Sequence, residues 1–121
     1  AERRATVLVV EDEPELRGLV AQWLETKGYA SVSAADGVEA IEFLQAGLEP
    51  DVILLDLTMP RMDGWTFLDW LRAQPEHEDR PVVIASAYAE DAPHDTAGRT
   101  LAKPFRPEVL ERVLAQLSAD A

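Results

Sequence analysis

Val52-Ile53-Leu54-Leu55-Asp56-Leu57-Thr58-Met59-Pro60-Arg61-Met62-Asp63-Gly64 opens with four consecutive apolar residues, closes them with a carboxylate, and continues into a stretch marked by Pro and Gly. Four apolar residues are too few for a helix and suit a parallel strand buried on both faces. Open α/β sheets bind their ligands beyond the carboxyl ends of the strands, so Asp56 stands where such a fold keeps its site. Aspartate also favours turns and helix caps, and the stretch by itself leaves site and turn both open.

The neighbouring segments repeat the pattern. Upstream, Thr6-Val7-Leu8-Val9-Val10 reads as a first buried strand followed at once by Glu11-Asp12-Glu13-Pro14. Pro14 suits the first turn of a helix, and Leu16, Leu19, Val20, Trp23 and Leu24 recur at the spacing of one helical face directed at the core. Gly28 stops that helix. Ala30 to Ala34 makes a short second strand, Asp36-Gly37 a turn and cap, and the next helix directs Val38, Ile41 and Leu44 inward before Gly47 ends it.

Downstream of Gly64 a helix buries Phe67, Leu68 and Leu71. His77 falls in a polar connection from Pro75 to Pro81; His77-Glu78 lacks the second histidine of a helical zinc pair, so it reads as a solvated loop residue. Pro81 to Ser86 gives a fourth strand ending in a hydroxyl. Ala87 to Arg99 carries Pro93, Gly98 and many polar residues, and supports at most a turn or two of helix. Thr100-Leu101-Ala102 is a short fifth strand leading into Lys103-Pro104. A last helix from about Pro107 buries Val109, Leu110, Val113, Leu114 and Leu117. Strand and helix alternate throughout, which calls for a single α/β domain over residues 1–121, with a five-stranded parallel sheet wound on both faces.

Parallel strands bring their carboxyl ends to one edge. Glu11 and Asp12 follow the first strand, Asp56 the third, Ser86 the fourth and Lys103 the fifth. Carboxylates gathered there repel one another unless a cation neutralises them. Mg²⁺, a hard cation that takes one or two carboxylates together with waters and phosphate oxygens, suits such a site. Ser86 and Lys103 are then placed to hold the oxygens of a phosphoryl group, which makes Asp56 a nucleophile. Phosphoryl transfer asks of a protein chiefly position and charge neutralisation.

From Val7 to the last helix the chain resembles the receiver domains of bacterial two-component response regulators. The resemblance rests on Glu11-Asp12, Asp56, Met59-Pro60, Asp63-Gly64, Ser86-Ala87 and Lys103-Pro104-Phe105, in that order along the chain, at strand ends and in the stretch that follows Asp56. It implies a flavodoxin-like (βα)5 fold with strand order 2-1-3-4-5. It further implies that Asp56 is the phosphoacceptor, taking a phosphoryl group from a histidine kinase or histidine phosphotransfer protein, and that the domain then switches conformation to control an output domain or downstream protein. Mg²⁺ would be held by Asp12, Asp56 and the main-chain carbonyl of Thr58, with Glu11 acting mainly through water. Ser86 and Lys103 would contact the phosphoryl oxygens. Thr58 and Tyr88 occupy positions that tune how fast the aspartyl phosphate hydrolyses. Such a domain catalyses only its own phosphorylation and dephosphorylation and is not otherwise an enzyme.

Two features depart from the common pattern. Thr100 stands three residues before Lys103, where most receivers carry an aromatic switch residue, and the segment between Ser86 and Lys103 is several residues shorter than usual, so the fourth helix is expected to be short or missing. Pro81-Val82-Val83-Ile84-Ala85-Ser86-Ala87-Tyr88 is loosely similar to the Pro-Phe-x-Phe-Ala-Thr-Gly-Tyr stretch of an atypical receiver subgroup with a reduced fourth helix. Pro81, Ala85 and Tyr88 match it, and Ser86 supplies the hydroxyl; Tyr88 would replace the missing aromatic.

Composition narrows the alternatives. The 121 residues include 11 Lys and Arg against 23 Asp and Glu, a formal net charge of −12 that opposes binding to a nucleic-acid backbone. The absence of cysteine excludes disulfides, thiolate metal sites and cysteine nucleophiles. The apolar runs are far too short to span a membrane, and the amino end lacks an export signal, so a soluble cytoplasmic protein is expected. The oligomeric state is left open, as is the choice between a single-domain regulator and a receiver from a longer protein. A small aspartyl phosphatase would want an acid at Thr58; a flavodoxin-like cofactor carrier would want a phosphate loop where Glu11-Asp12-Glu13 stands. A non-phosphorylated docking module fits the intact acids and Lys103 less well.

Overall fold

A computed structural model of the chain describes residues 5–56, 62, 64–78, 80–86, 100–102 and 107–119. Five strands, β1 (Thr6–Val10), β2 (Ala30–Ala34), β3 (Val52–Asp56), β4 (Val82–Ser86) and β5 (Thr100–Ala102), form one parallel sheet in the order β2-β1-β3-β4-β5. The described helices are α1 (Pro14–Thr26), α2 (Gly37–Gln45), α3 (Gly64–Arg72) and, after β5, α4 (Pro107–Ala119). The fold class and strand order are those expected. Residues 87–99, where a reduced helix was expected, lie outside the described residues. No described helix is long and apolar enough to cross a membrane.

Alternation along each strand divides the core in two. Leu8 and Val10 of β1, Ile53 and Leu55 of β3, and Val82 and Ile84 of β4 pack with Ala40 and Leu44 of α2 and Phe67, Leu68 and Leu71 of α3. Their neighbours Val7, Val9, Val52, Leu54, Val83 and Ala85 pack on the opposite side with Val20 and Leu24 of α1 and Leu110 and Leu114 of α4. Successive strand side chains point to opposite faces, so only a strand covered on both sides can be apolar at every position. β3 meets that condition along its whole length: all five residues are buried, Asp56 included.

The ends of the helices follow from local chemistry. Asp36 caps α2, its carboxylate accepting from the Glu39 amide at 2.9 Å. Gly28 and Gly47 take positive φ after α1 and α2 (93° and 108°), where a Cβ would be strained.

Three sequence expectations need correction. Leu19 is 64% exposed. A helix turns by about 100° per residue, which places Leu19 about 100° from Val20 and about 140° from Leu24, beyond the edge of the buried face. Val38 is half-buried, and the innermost positions of α2 are Gly37, Ala40 and Leu44, with Ile41 packed alongside.

His77 is buried, at 4% exposure, instead of solvated. The connection after α3 folds back on itself, with His77 N–H donating to Gln74 and Arg80 N–H to His77. Arg80 then sets Nε at 3.2 Å and Nη2 at 2.9 Å from His77 Nδ1, and donates through Nη1 to the carbonyl of Pro50 at 2.6 Å. A guanidinium has only donors, so Nδ1 is the acceptor and the ring proton sits on Nε2. Arg72 Nη1 completes the structure, donating to the carbonyls of Glu78 and Arg80 at 2.9 Å each.

Candidate functional site

Sheet register assembles the site. β1 pairs with β3 up to Val10 opposite Leu55, so the next residues on the two strands, Glu11 and Asp56, emerge side by side. Asp56 pairs in turn with Ala85, and Ser86 ends β4 one residue farther along. Ser86 pairs with Ala102, the last residue of β5 and the one preceding Lys103 in the chain. The strand ends that carry the reactive residues thus lie along one edge of the sheet, as their order in the sequence implies.

At that edge one carboxylate oxygen from each of Glu11, Asp12 and Asp56 falls within 4.8 Å of the other two. Among the described residues this is the one such gathering of potential metal ligands. Glu11 and Asp56 are buried, each at 6% exposure, whereas Asp12 is exposed, so the cluster has two anchored carboxylates and one at its mouth. Negative charges this close repel more strongly as water is excluded. A cation at their centre converts that repulsion into attraction, and the all-oxygen donor set fits a hard divalent ion such as Mg²⁺.

The segment that supplies two of the three acids is held by the backbone on both sides. The Glu11 amide donates to the Ala34 carbonyl at the end of β2 (3.1 Å), and the Glu13 amide donates to the Glu11 carboxylate (3.1 Å). Arg17, in the first turns of α1, places Nη1 2.9 Å from the carbonyl oxygen of Glu11 and 3.4 Å from that of Asp12. No motif in the sequence singles out Arg17, because a side chain that binds main-chain oxygens has no partner pattern in residue type. The available signal was a cation near a helix N-terminus, where the helix dipole disfavours it, directly after three acids.

Of the residues expected at the site, Glu11, Asp12 and Asp56 are brought together. Ser86 closes β4 at the same edge, and Thr100 opens β5 opposite Ile84. Thr58, Tyr88 and Lys103 lie outside the described residues, as do Met59, Pro60 and Asp63. Met62 is described, and packs against the core on the α2 and α3 side of the sheet.

Comparison with known proteins places this geometry in a family. Residues 7–115 match the response regulator receiver domain. Sensor kinase CckA of Brucella abortus (strain 2308) is 40% identical over 119 residues; the match covers 93% of this chain and 12% of that protein, so the chain spans a small part of the curated relative's length. Among solved structures, the chemotaxis response regulator CheY4 of Vibrio cholerae superposes with a TM-score of 0.80 at 33% identity, covering 93% of this chain and 98% of that one. The response regulator protein TrrA of Thermotoga maritima, in complex with Mg(2+)-BeF, gives a TM-score of 0.80 at 26% identity, covering 93% and 97% of the two chains. The chain belongs to the response regulator receiver domain family of two-component signalling.

Proposed function

We propose that Asp56 is the phosphoacceptor of this receiver domain and that it takes a phosphoryl group from a phosphohistidine in a Mg²⁺-dependent reaction. The observation that carries the reading is the convergence of the Glu11, Asp12 and Asp56 carboxylates within 4.8 Å at the carboxyl edge of the sheet. Asp12 and Asp56 would hold the metal, with Glu11 acting through water, and the family resemblance adds the main-chain carbonyl of Thr58 as a further ligand. Bound Mg²⁺ supplies charge neutralisation for the carboxylates and for the phosphoryl oxygens. An Asp56 carboxylate oxygen attacks phosphorus as the P–N bond to the donor imidazole breaks, and the imidazole leaves with the bonding pair and takes up a proton. Ser86 and Lys103 receive the phosphoryl oxygens, one through a hydroxyl donor and the other by charge.

The acyl phosphate adds about −1.5 to −2 charges at the strand ends. That charge gives the two loop states different energies, as any switch requires. Thr58 and Tyr88 set the lifetime of the aspartyl phosphate, and Tyr88 takes the signalling part of the aromatic that Thr100 lacks. The donor is a histidine kinase or a histidine phosphotransfer protein, and the switch acts on an output domain or a downstream protein. The domain acts on itself and turns over no other substrate.

The test is incubation of the protein and its Asp56→Asn variant with a small-molecule phosphodonor, with and without Mg²⁺, followed by intact mass measurement. One added phosphoryl group on the parent, dependent on Mg²⁺ and missing from the variant, is expected. An unmodified parent alongside a receiver that labels under the same conditions would overturn the proposal.

A further inference from the structure

We propose that Arg17 is the positioning residue of the acidic cluster: by bridging the main-chain carbonyls of Glu11 and Asp12 it fixes the two acids at the distance from Asp56 that a divalent cation requires. The inference rests on the reading of the cluster as a cation site, and its geometry is independent of the phosphoryl chemistry.

The placement of Arg17 is electrostatically expensive for a helix. It sits at the fourth position of α1, close to the end where unsatisfied amides carry partial positive charge, and α1 begins without a side-chain cap at Glu13. A cation there needs compensation, and it receives it from two carbonyl oxygens, at 2.9 and 3.4 Å from a single nitrogen. The contact at 2.9 Å is the stronger, and one nitrogen shared between consecutive carbonyls restrains the peptide that joins Glu11 to Asp12.

The choice of acceptor determines the consequence. A guanidinium bound to the carboxylate oxygens would compete with a metal ion for its ligands. Arg17 holds the main chain, and the three carboxylates stay within 4.8 Å of one another. The Ala34 carbonyl anchors the amide side of Glu11, and Arg17 anchors its carbonyl side. Asp12, the exposed member of the cluster, has the Arg17 contact as the hold on its own carbonyl, so its position depends most on that bridge.

Charge and positioning make opposite predictions for the same substitution, which allows them to be separated. As a positive charge near the cluster, Arg17 repels an incoming cation, and its removal on that ground alone tightens metal binding. As a positioning group, its removal loosens the ligand set and weakens binding.

The experiment is calorimetric titration of Mg²⁺ into the parent, Arg17→Met and Arg17→Lys, together with amide hydrogen exchange of Glu11 and Glu13 in chelator. Arg17→Met is expected to bind Mg²⁺ about tenfold more weakly, with faster exchange at both amides, and Arg17→Lys, which keeps a long cationic donor, to recover part of both losses. Affinity in Arg17→Met equal to or tighter than the parent's would overturn the proposal. If Arg17→Met does not fold, the Lys variant decides, because affinity below the parent's with exchange faster than the parent's at both amides supports the bridge and parent values for both contradict it. A parent that binds no Mg²⁺ would defeat the cation-site reading instead; exchange then decides the bridge, and an Arg17→Met protein with parent protection at Glu13 would contradict it.

Discussion

Met62 lies directly against Gly37: a Cβ built on Gly37 would stand 2.9 Å from its Sδ, 3.0 Å from its Cγ and 3.1 Å from its Cβ. The stem of the methionine is as close as its sulfur, so a rotation of the chain end cannot relieve the clash. Met62 is thereby seated on the first turn of α2. Gly37→Ala is expected to cost about 1–2 kcal/mol, the overpacking outweighing the helix propensity gained. Adding Met62→Ala should return part of that loss, a coupling of at least about 0.5 kcal/mol in a double-mutant cycle by urea denaturation. Strict additivity would show that the two residues do not press on each other.

The buried His77 depends on Arg80. Arg80→Met removes the donor to Nδ1 and the donor to the Pro50 carbonyl, and is expected to destabilise the fold by about 2 kcal/mol or more through polar groups left without partners. Nitrogen chemical shifts of the His77 ring should show Nδ1 as the unprotonated acceptor and the ring proton on Nε2. A ring protonated on Nδ1 would contradict the arrangement.

Leu19 and Leu24 form a matched pair on one helix. Leu24 is fully buried, and Leu24→Ala should cost about 2–5 kcal/mol. Leu19, at 64% exposure, should tolerate the same change within about 0.5 kcal/mol. Equal costs would restore Leu19 to the core stripe.

These pairs show which parts of the chain are legible in sequence. Val52 to Leu55 is apolar at every position because both sides of β3 are covered, and that pattern is visible without coordinates. Asp36-Gly37 is legible as a turn and cap because the capping bond spans only three residues. The acids at the strand ends are legible because parallel topology gathers them whatever the loops do. Leu19 is misread because helical periodicity gives the direction of the buried face and not its width. His77 is misread because its donor Arg80 reaches it through a loop closure, and the same guanidinium is fixed by Pro50, 30 residues away. Arg17 and Met62 escape notice because their partners are main-chain oxygens and a missing Cβ, which leave no pattern in residue type.

Metal binding should change the sign of one substitution. Without metal, Asp12→Asn removes repulsion from Glu11 and Asp56 and is expected to raise the melting temperature. In Mg²⁺ at a hundred times the parent Kd, the parent gains about 2.7 kcal/mol, and the variant should gain less and melt below it. Thermal melts in chelator and across a Mg²⁺ series provide the comparison. A parent melting point indifferent to Mg²⁺ would contradict the site.

The most direct measurement identifies the atom that carries the phosphoryl group. Reduction of the phosphorylated protein with borohydride converts an aspartyl phosphate to homoserine, and peptide mass mapping then locates the converted residue. Conversion at position 56 alone is predicted, lost when Mg²⁺ is chelated before the phosphodonor is added. Conversion at another position, or none in protein that carries a phosphoryl group by mass, would contradict Asp56 as the acceptor.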